Sequence, residues 1–89
     1  MRTAIWKFSF HNFPSTNIMM DPEAQVIHVA YQHGVICLWA MVNPDAVQVV
    51  RKFRIFGTGF DFDPNGLNFI GTVLTADEQF VWHVFEEAR

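Results

Sequence analysis

The segment from residue 51 to residue 59 holds the residue types best suited to binding an anion. Two arginines precede a glycine-rich triplet, and these residues are Arg51, Arg54, Gly57, Thr58 and Gly59. An arginine presents a charged fork to a phosphate, and glycines let backbone N–H groups approach its oxygens closely. The triplet is neither a Walker loop nor a dinucleotide fingerprint, because the residues that complete those motifs are absent. The pattern predicts a small anion site, and the alternative is a β-bulge flanked by solvated basic residues.

Aromatic rings elsewhere in the chain could stack on the planar part of such a ligand, as aromatic side chains do on bases. The candidates for this role are Trp39, Phe56, Phe60 and Trp82, of which the two tryptophans are favoured, and His83 directly follows Trp82. A histidine on a strand is more often a hydrogen-bonded, half-buried imidazole than a base. The ligand-binding set predicted from the sequence is Arg51, Arg54, Gly57, Thr58, Gly59, Trp39, Trp82 and His83.

Catalytic chemistry finds less support in the sequence. No serine stands in a nucleophile elbow. Glu86 and Glu87 are adjacent, and successive strand residues point to opposite faces, so we expect two solvated carboxylates rather than an acid–base pair. A phosphodiesterase would need His28 or His83 as its general base, with no partner evident in the sequence. We therefore expect a binding protein and not an enzyme.

Metal binding is not expected, although residues 61–66 resemble the first half of a calcium-binding loop. Asp61, Asp63 and Asn65 stand at the positions of the first three ligands, and Gly66 provides the turn. The position that needs a bidentate glutamate holds Thr72 instead. A zinc site would lack a second cysteine. We interpret the segment as an acidic turn and expect neither a metal nor a cofactor.

The composition indicates a domain with more apolar surface than one small monomer easily hides. The 89 residues are 51% hydrophobic and 16% aromatic, and only 17% are charged. Residues 35–42 are apolar on both faces, which fits a central strand or one covered by another subunit. Because a short chain buries a limited share of its surface, we expect a homo-oligomer.

The charge and the cysteine content bear on partners and compartment. A net charge of −3 argues against binding duplex nucleic acid or an anionic membrane surface. The single cysteine, Cys37, cannot form an internal disulfide and is expected to be buried among apolar neighbours. We see no signal peptide and no apolar run long enough to span a bilayer, so we expect a cytoplasmic protein.

Alternating apolar and polar residues predict β-strands along most of the chain. The predicted strands cover residues 3–10, 16–20, 25–32, 35–42, 51–56, 67–74 and 80–85. Gly34 is expected to adopt a positive φ in a tight turn, and Gly71 to mark a β-bulge. Residues 44–48 could form a short helical turn. Residues 75–78 match a helix capping box, so residues 75–89 could form a helix instead of the strand that we favour. The predicted fold is one mainly β domain over residues 1–89, a small antiparallel sandwich or barrel of six to seven strands.

Several motifs resemble those of a family of small accessory proteins from tailed phages and prophages. They lie at residues 5–8, 34–45, 53–59, 69–72 and 81–86, and they cover nearly the whole chain. The sequence departs from that pattern after Gly59, where it has Phe60, Asp61, Phe62 and Asp63 and the relatives tend to carry His-Pro. The resemblance implies a phage protein with a compact, mostly β fold that acts in the host cytoplasm.

The chain is also similar, in size, apolar content and mild acidity, to phage proteins that sequester nucleotide immune signals. This analogy leads us to expect an anti-defence protein that binds a cyclic nucleotide or an ADP-ribose derivative without cleaving it. In that interpretation Arg54 and Arg51 bind phosphate, and Trp39 or Trp82 stacks on the base. The alternatives are a protein-binding inhibitor of a host immune enzyme and a minor virion or assembly protein.

Overall fold

A computed structural model describes residues 2–89, which form seven β-strands that pair antiparallel throughout. They are β1 (Ala4–Ser9), β2 (Ser15–Met20), β3 (Gln25–Gln32), β4 (Val35–Val42), β5 (Val49–Gly57), β6 (Leu67–Leu74) and β7 (Val81–Glu87). No helix occurs within these residues, and so none that could cross a membrane. The predicted all-β fold is confirmed, and the C-terminal segment is a strand because its β-branched and aromatic residues fit a half-buried sheet.

The strands form two sheets that pack face to face. One has three strands in the order β1-β4-β3, and the other has four in the order β2-β5-β7-β6. The inward-facing side chains of both sheets make a single core, and the largest of them that are fully buried are Phe53, Met20, Leu38 and Val84. The architecture is the predicted antiparallel sandwich. Strand β4, which is apolar on both faces, is the central strand of the three-stranded sheet, as the sequence predicts.

The turn between β3 and β4 forms as the sequence predicts. Gly34 adopts φ +83°, and His33 before it adopts φ +53°. Two successive positive φ angles are typical of the two-residue turns that match the twist of a hairpin. The turn therefore sets the register of β3 against β4.

The close approach of the two sheets depends on Gly71. The register of β6 against β7 shifts between Phe69 and Gly71, which confirms the predicted bulge. A Cβ atom at Gly71 would lie 2.6 Å from Cγ2 of Val29 on β3, closer than side chains tolerate. The bulge and the missing side chain together let β3 of one sheet pack onto β6 of the other.

Residues 43–46 form a single turn and no helix. The Ala46 amide donates to the Asn43 carbonyl over 3.1 Å, and the Asp45 amide donates to the Asn43 side-chain oxygen over 3.0 Å. The chain then extends into β5, because Val49 and Val50 are β-branched and favour a strand. The short helical turn that we considered near residues 44–48 is thus limited to one β-turn.

Candidate ligand-binding site

Strand alternation divides β5 between the interior and the outer face of the four-stranded sheet. Arg51, Phe53 and Ile55 are buried in the interior, whereas Lys52 and Arg54 are exposed on the outer face. The predicted cluster of basic residues therefore does not act as a unit. Only Lys52 and Arg54 remain accessible to an anion.

Arg51 is buried inside the sandwich, where its guanidinium hydrogen-bonds to other parts of the chain. Its guanidinium donates two hydrogen bonds to the Glu86 carboxylate, from Nε over 2.6 Å and from the terminal NH2 group over 2.7 Å. The other terminal nitrogen donates to the backbone carbonyls of Asp21 and Ala24. All three nitrogens are thus engaged, which removes Arg51 from the predicted ligand-binding set. The expectation that Glu86 is solvated is wrong, because its partner lies buried on the neighbouring strand.

Four phenylalanines form an aromatic cluster on the outer face of the four-stranded sheet. Phe56 stacks on Phe62, with ring centroids 4.0 Å apart and planes inclined by 10°. Phe85 meets Phe56, Phe62 and Phe69 edge to face, with centroids 5.3 to 5.6 Å apart. We call these four residues the outer aromatic cluster. It offers a partly exposed apolar surface, and a planar group could stack on the face of one of its exposed rings.

Arg54 lies beside the outer aromatic cluster. Its guanidinium carbon is 5.2 Å from the centroid of the Phe56 ring, within the range of a cation–π contact. Within residues 2–89 no carboxylate forms an ion pair with Arg54. The guanidinium is thus exposed and available to an anionic group, and Lys52 lies two residues away on the same face.

His83 is held in place by two threonine hydroxyls. Its Nε2 lies 2.7 Å from Oγ1 of Thr58, and its Nδ1 lies 3.1 Å from Oγ1 of Thr72. Both hydroxyls can donate or accept, so they satisfy the ring in either neutral tautomer. No carboxylate in the described part of the chain hydrogen-bonds to the ring, unlike the base of a catalytic triad. The arrangement positions the imidazole at the end of the outer face.

The glycine-rich triplet contributes a tight turn rather than an array of free amides. The Thr58 amide donates to the Val81 carbonyl over 3.3 Å, and the Phe60 amide donates to the Gly57 carbonyl over 3.0 Å. Gly59 adopts φ +91°, which a residue with a side chain rarely does. Because the Thr58 amide is already used within the chain, the triplet does not offer the row of free amides that the predicted phosphate site would need. Its contribution to a ligand site is the Thr58 hydroxyl.

The two tryptophans lie away from Arg54. Trp82 points to the inner side of β7, where Phe13, Phe60 and Phe80 surround it. Trp39 lies on the three-stranded sheet, where its ring is 5.5 Å from that of His28. Neither is in a position to stack on a ligand that Arg54 holds on the outer face.

The acidic turn at residues 61–66 is organised by hydrogen bonds of its own. The Asn65 amide donates to Oδ1 of Asp63 over 3.0 Å, and Gly66 adopts φ +74°. Residues 2–89 contain no group of three or more histidine, cysteine, aspartate or glutamate side chains arranged to hold a metal ion. Thr72, which occupies the glutamate position of a calcium loop, instead faces His83.

Of the predicted set, Arg54 and His83 lie on the same outer face, and Thr58 hydrogen-bonds to His83. The structure also adds residues to this face that the predicted set does not contain. The additions are Thr72 and three members of the outer aromatic cluster, Phe62, Phe69 and Phe85, whereas Phe56 is already a candidate for stacking. Phe69 and Phe85 pair across β6 and β7, which a predicted hairpin register could have shown. Phe62 comes from an irregular loop, where no periodicity indicates the direction of a side chain.

The comparisons with known proteins identify a family without an assigned activity. No curated protein and no solved structure matches the chain. A family model described as a domain of unknown function, DUF7352, matches residues 1–89. Because this match covers the whole chain, the protein belongs to the DUF7352 family.

Proposed function

We propose that this protein binds a small anionic ligand with a planar ring, of the class of signalling nucleotides, and sequesters it without cleaving it. The observation that supports this is the placement of Arg54, whose exposed guanidinium has no carboxylate partner within residues 2–89 and lies beside the outer aromatic cluster. A phosphate at Arg54 would allow an attached base to stack on Phe62 or Phe69. This combination of cation and aromatic surface is typical of proteins that hold nucleotides.

Binding rather than cleavage is supported by the surroundings of His83. This imidazole is the one on the outer face, and its two nitrogens are engaged by the hydroxyls of Thr58 and Thr72. In a catalytic triad a carboxylate orients the imidazole and stabilises its charged form, and here the hydroxyl of Thr72 takes that place. Hydroxyls at this position are better suited to hydrogen bonding with a sugar or a phosphate.

We propose that this binding serves a phage protein that withholds an immune signal in the host cytoplasm. The support is the resemblance to tailed-phage and prophage accessory proteins at residues 34–45 and 53–59. We further propose that the protein is a homo-oligomer. Large apolar side chains that remain exposed on one chain support this, and among them are Phe69, Phe60, Phe13, Phe80 and Ile5.

The alternative is a protein-binding inhibitor of a host immune enzyme. Exposed aromatic side chains favour this function, because they are the residues on which binding energy between proteins concentrates. In this case the outer aromatic cluster would contact a protein, and Arg54 would pair with a carboxylate of the partner. A stable complex with a host protein, isolated in the absence of nucleotide, would support this alternative over sequestration.

A thermal-shift screen against cyclic dinucleotides and ADP-ribose derivatives tests the proposed function. A ligand at 100 times its Kd adds about 2.7 kcal/mol to the free energy of unfolding, so the melting temperature should rise by several degrees. The protein is then incubated with the hit and denatured, and the released ligand is analysed by mass spectrometry. Recovery of the intact ligand supports sequestration, whereas a hydrolysed product shows that the protein is an enzyme.

A further inference from the structure

A cleft opens at one end of the sandwich, between the two sheets. Three connections form its walls: residues 10–13 after β1, the turn between β3 and β4, and residues 75–80 between β6 and β7. Its volume is about 400 Å³, and its floor is made by the buried side chains of Phe10, Ile36 and Ile55. This volume lies within the range of pockets that hold small molecules.

Aromatic rings line the mouth of this cleft around Trp82. The Phe13 ring meets the Trp82 ring edge to face at 4.9 Å, and the Phe80 ring lies nearly parallel to it at 5.9 Å. Phe13 is 57% exposed and Phe80 is 53% exposed, although both belong to this cluster. Rings in these orientations present both faces and edges to a further ring that enters the cleft.

The lining of the cleft contains no lysine, arginine, aspartate or glutamate. Its polar side chains are those of His11, Asn12, Tyr31 and Thr75, which can donate and accept hydrogen bonds. An ionised group in such a lining would lose its hydration without gaining an opposite charge. The cleft is thus suited to an uncharged ligand and not to an anion.

We propose that this cleft is a second binding site, which takes an uncharged planar aromatic group of one or two rings. The ring would lie against Trp82 and Phe80, and its polar edge would face Tyr31 or Asn12, since the Thr75 hydroxyl already bonds to Asp77 and to the Phe80 amide. The site is separate from the one at Arg54, because successive residues of β7 point Trp82 inward and His83 outward. The binding site in the cleft can therefore be tested separately from the one at Arg54.

Indole serves as the probe for this site, because it is uncharged and bicyclic. We expect amide resonances of residues 10–13, 31–36 and 75–82 to shift in a ¹H–¹⁵N NMR titration, while that of Arg54 stays in place. Phe80→Ala should weaken indole binding about twofold to tenfold, because an aromatic pair contributes roughly 0.5–1.5 kcal/mol. Ile5→Ala is the matched control, since Ile5 is an exposed apolar residue of β1 outside the lining, and it should leave the affinity unchanged. Indole-3-acetate, which adds a negative charge, should bind more weakly than indole.

Three results would overturn the proposal. The first is that millimolar indole shifts no amide resonance at the cleft of the wild-type protein. This measurement uses no variant, so it does not depend on whether a mutant folds. The second is an equal loss of affinity in Phe80→Ala and Ile5→Ala. The third is a fall in the oligomer mass of Phe80→Ala together with no indole binding by the wild type, which would make the cleft an interface between copies of the chain.

Discussion

Arg51 and Glu86 form a doubly hydrogen-bonded ion pair inside the sandwich. Their side chains are only 6% and 9% exposed, and the two bonds measure 2.6 and 2.7 Å. Glu86 lies directly opposite Phe53 in the register of β5 and β7, so Arg51 is its diagonal neighbour two residues along β5. Arg89 adds a third donor to the carboxylate at 3.0 Å. The pair ties β5 and β7 to the connection between β2 and β3.

Replacing one partner of this pair should destabilise the protein strongly. Arg51→Met leaves the buried Glu86 carboxylate without its main partner, and such a loss costs about 3–5 kcal/mol. We expect the lower part of this range, because Arg89 still donates to the same carboxylate. Urea unfolding of the wild type and the variant measures the difference.

The double variant Arg51→Met with Glu86→Leu provides the control. It removes both charges and keeps apolar volume in the interior, so it should recover a large part of the lost stability. A loss below about 1 kcal/mol in Arg51→Met would show that the pair contributes no more than an exposed ion pair does.

The fold could be predicted from the sequence, but the ion pair between Arg51 and Glu86 could not. Alternation in β3 and β4 and the turn at Gly34 each depend on local preferences, and both are confirmed. Arg51 and Glu86 are 35 residues apart, and their contact depends on the register of two strands that are not consecutive in the chain. The residue types alone predict that both side chains are exposed to solvent, because charged side chains are seldom buried unless they are paired.

The candidate site also has one feature that could be predicted from the sequence and one that could not. Strand alternation is enough to separate Arg54 from Arg51, because residues three positions apart on a strand point to opposite faces of the sheet. The stacking of Phe62 on Phe56 is different, since Phe62 lies in the connection between β5 and β6, where no repeat fixes its direction. A ligand surface built from loop residues therefore becomes visible only in three dimensions.

Removing the Arg54 side chain should weaken binding of a phosphorylated ligand without affecting the fold. A charge-assisted hydrogen bond to phosphate contributes roughly 1.5–3 kcal/mol, so Arg54→Ala should raise Kd about tenfold to a hundredfold. Arg2→Ala is the matched control, because Arg2 is exposed and pairs with Asp45. Calorimetric titration with the hit from the thermal screen measures both. Equal affinities would place the ligand away from the outer face.

Thr16 offers a test of packing inside the sandwich. Its side chain is 3% exposed within β2, and Oγ1 has no hydrogen-bond partner within residues 2–89. A buried hydroxyl without a partner costs free energy, so Thr16→Val should raise the free energy of unfolding by about 1 kcal/mol. Thr3→Val, at an exposed position, should change it little. A clear loss of stability in Thr16→Val would show that the hydroxyl is satisfied in solution, for example by a buried water.

Asp21 should make the stability of the protein sensitive to acid. Its two carboxylate oxygens accept hydrogen bonds from the backbone amides of Asn43 and Glu23, each over 2.8 Å. The Asn43 bond, followed by the Glu23 bond, lowers the pKa of Asp21 below its ordinary value of 3.8. Because the folded state favours the ionised form, this contribution is complete above the ordinary pKa and is lost as the pH falls through the lowered one.

The variant Asp21→Asn isolates this effect. An asparagine has one acceptor oxygen, so it leaves one of the two backbone amides without its partner, and it cannot titrate. Asp21→Asn should thus be less stable than the wild type at about pH 6, and the difference should narrow as the pH falls below about 4. Chemical unfolding at a series of pH values measures it, since carboxylates common to both proteins cancel in the comparison. A difference that stays constant down to about pH 3 would mean that ionisation of Asp21 does not contribute to the fold.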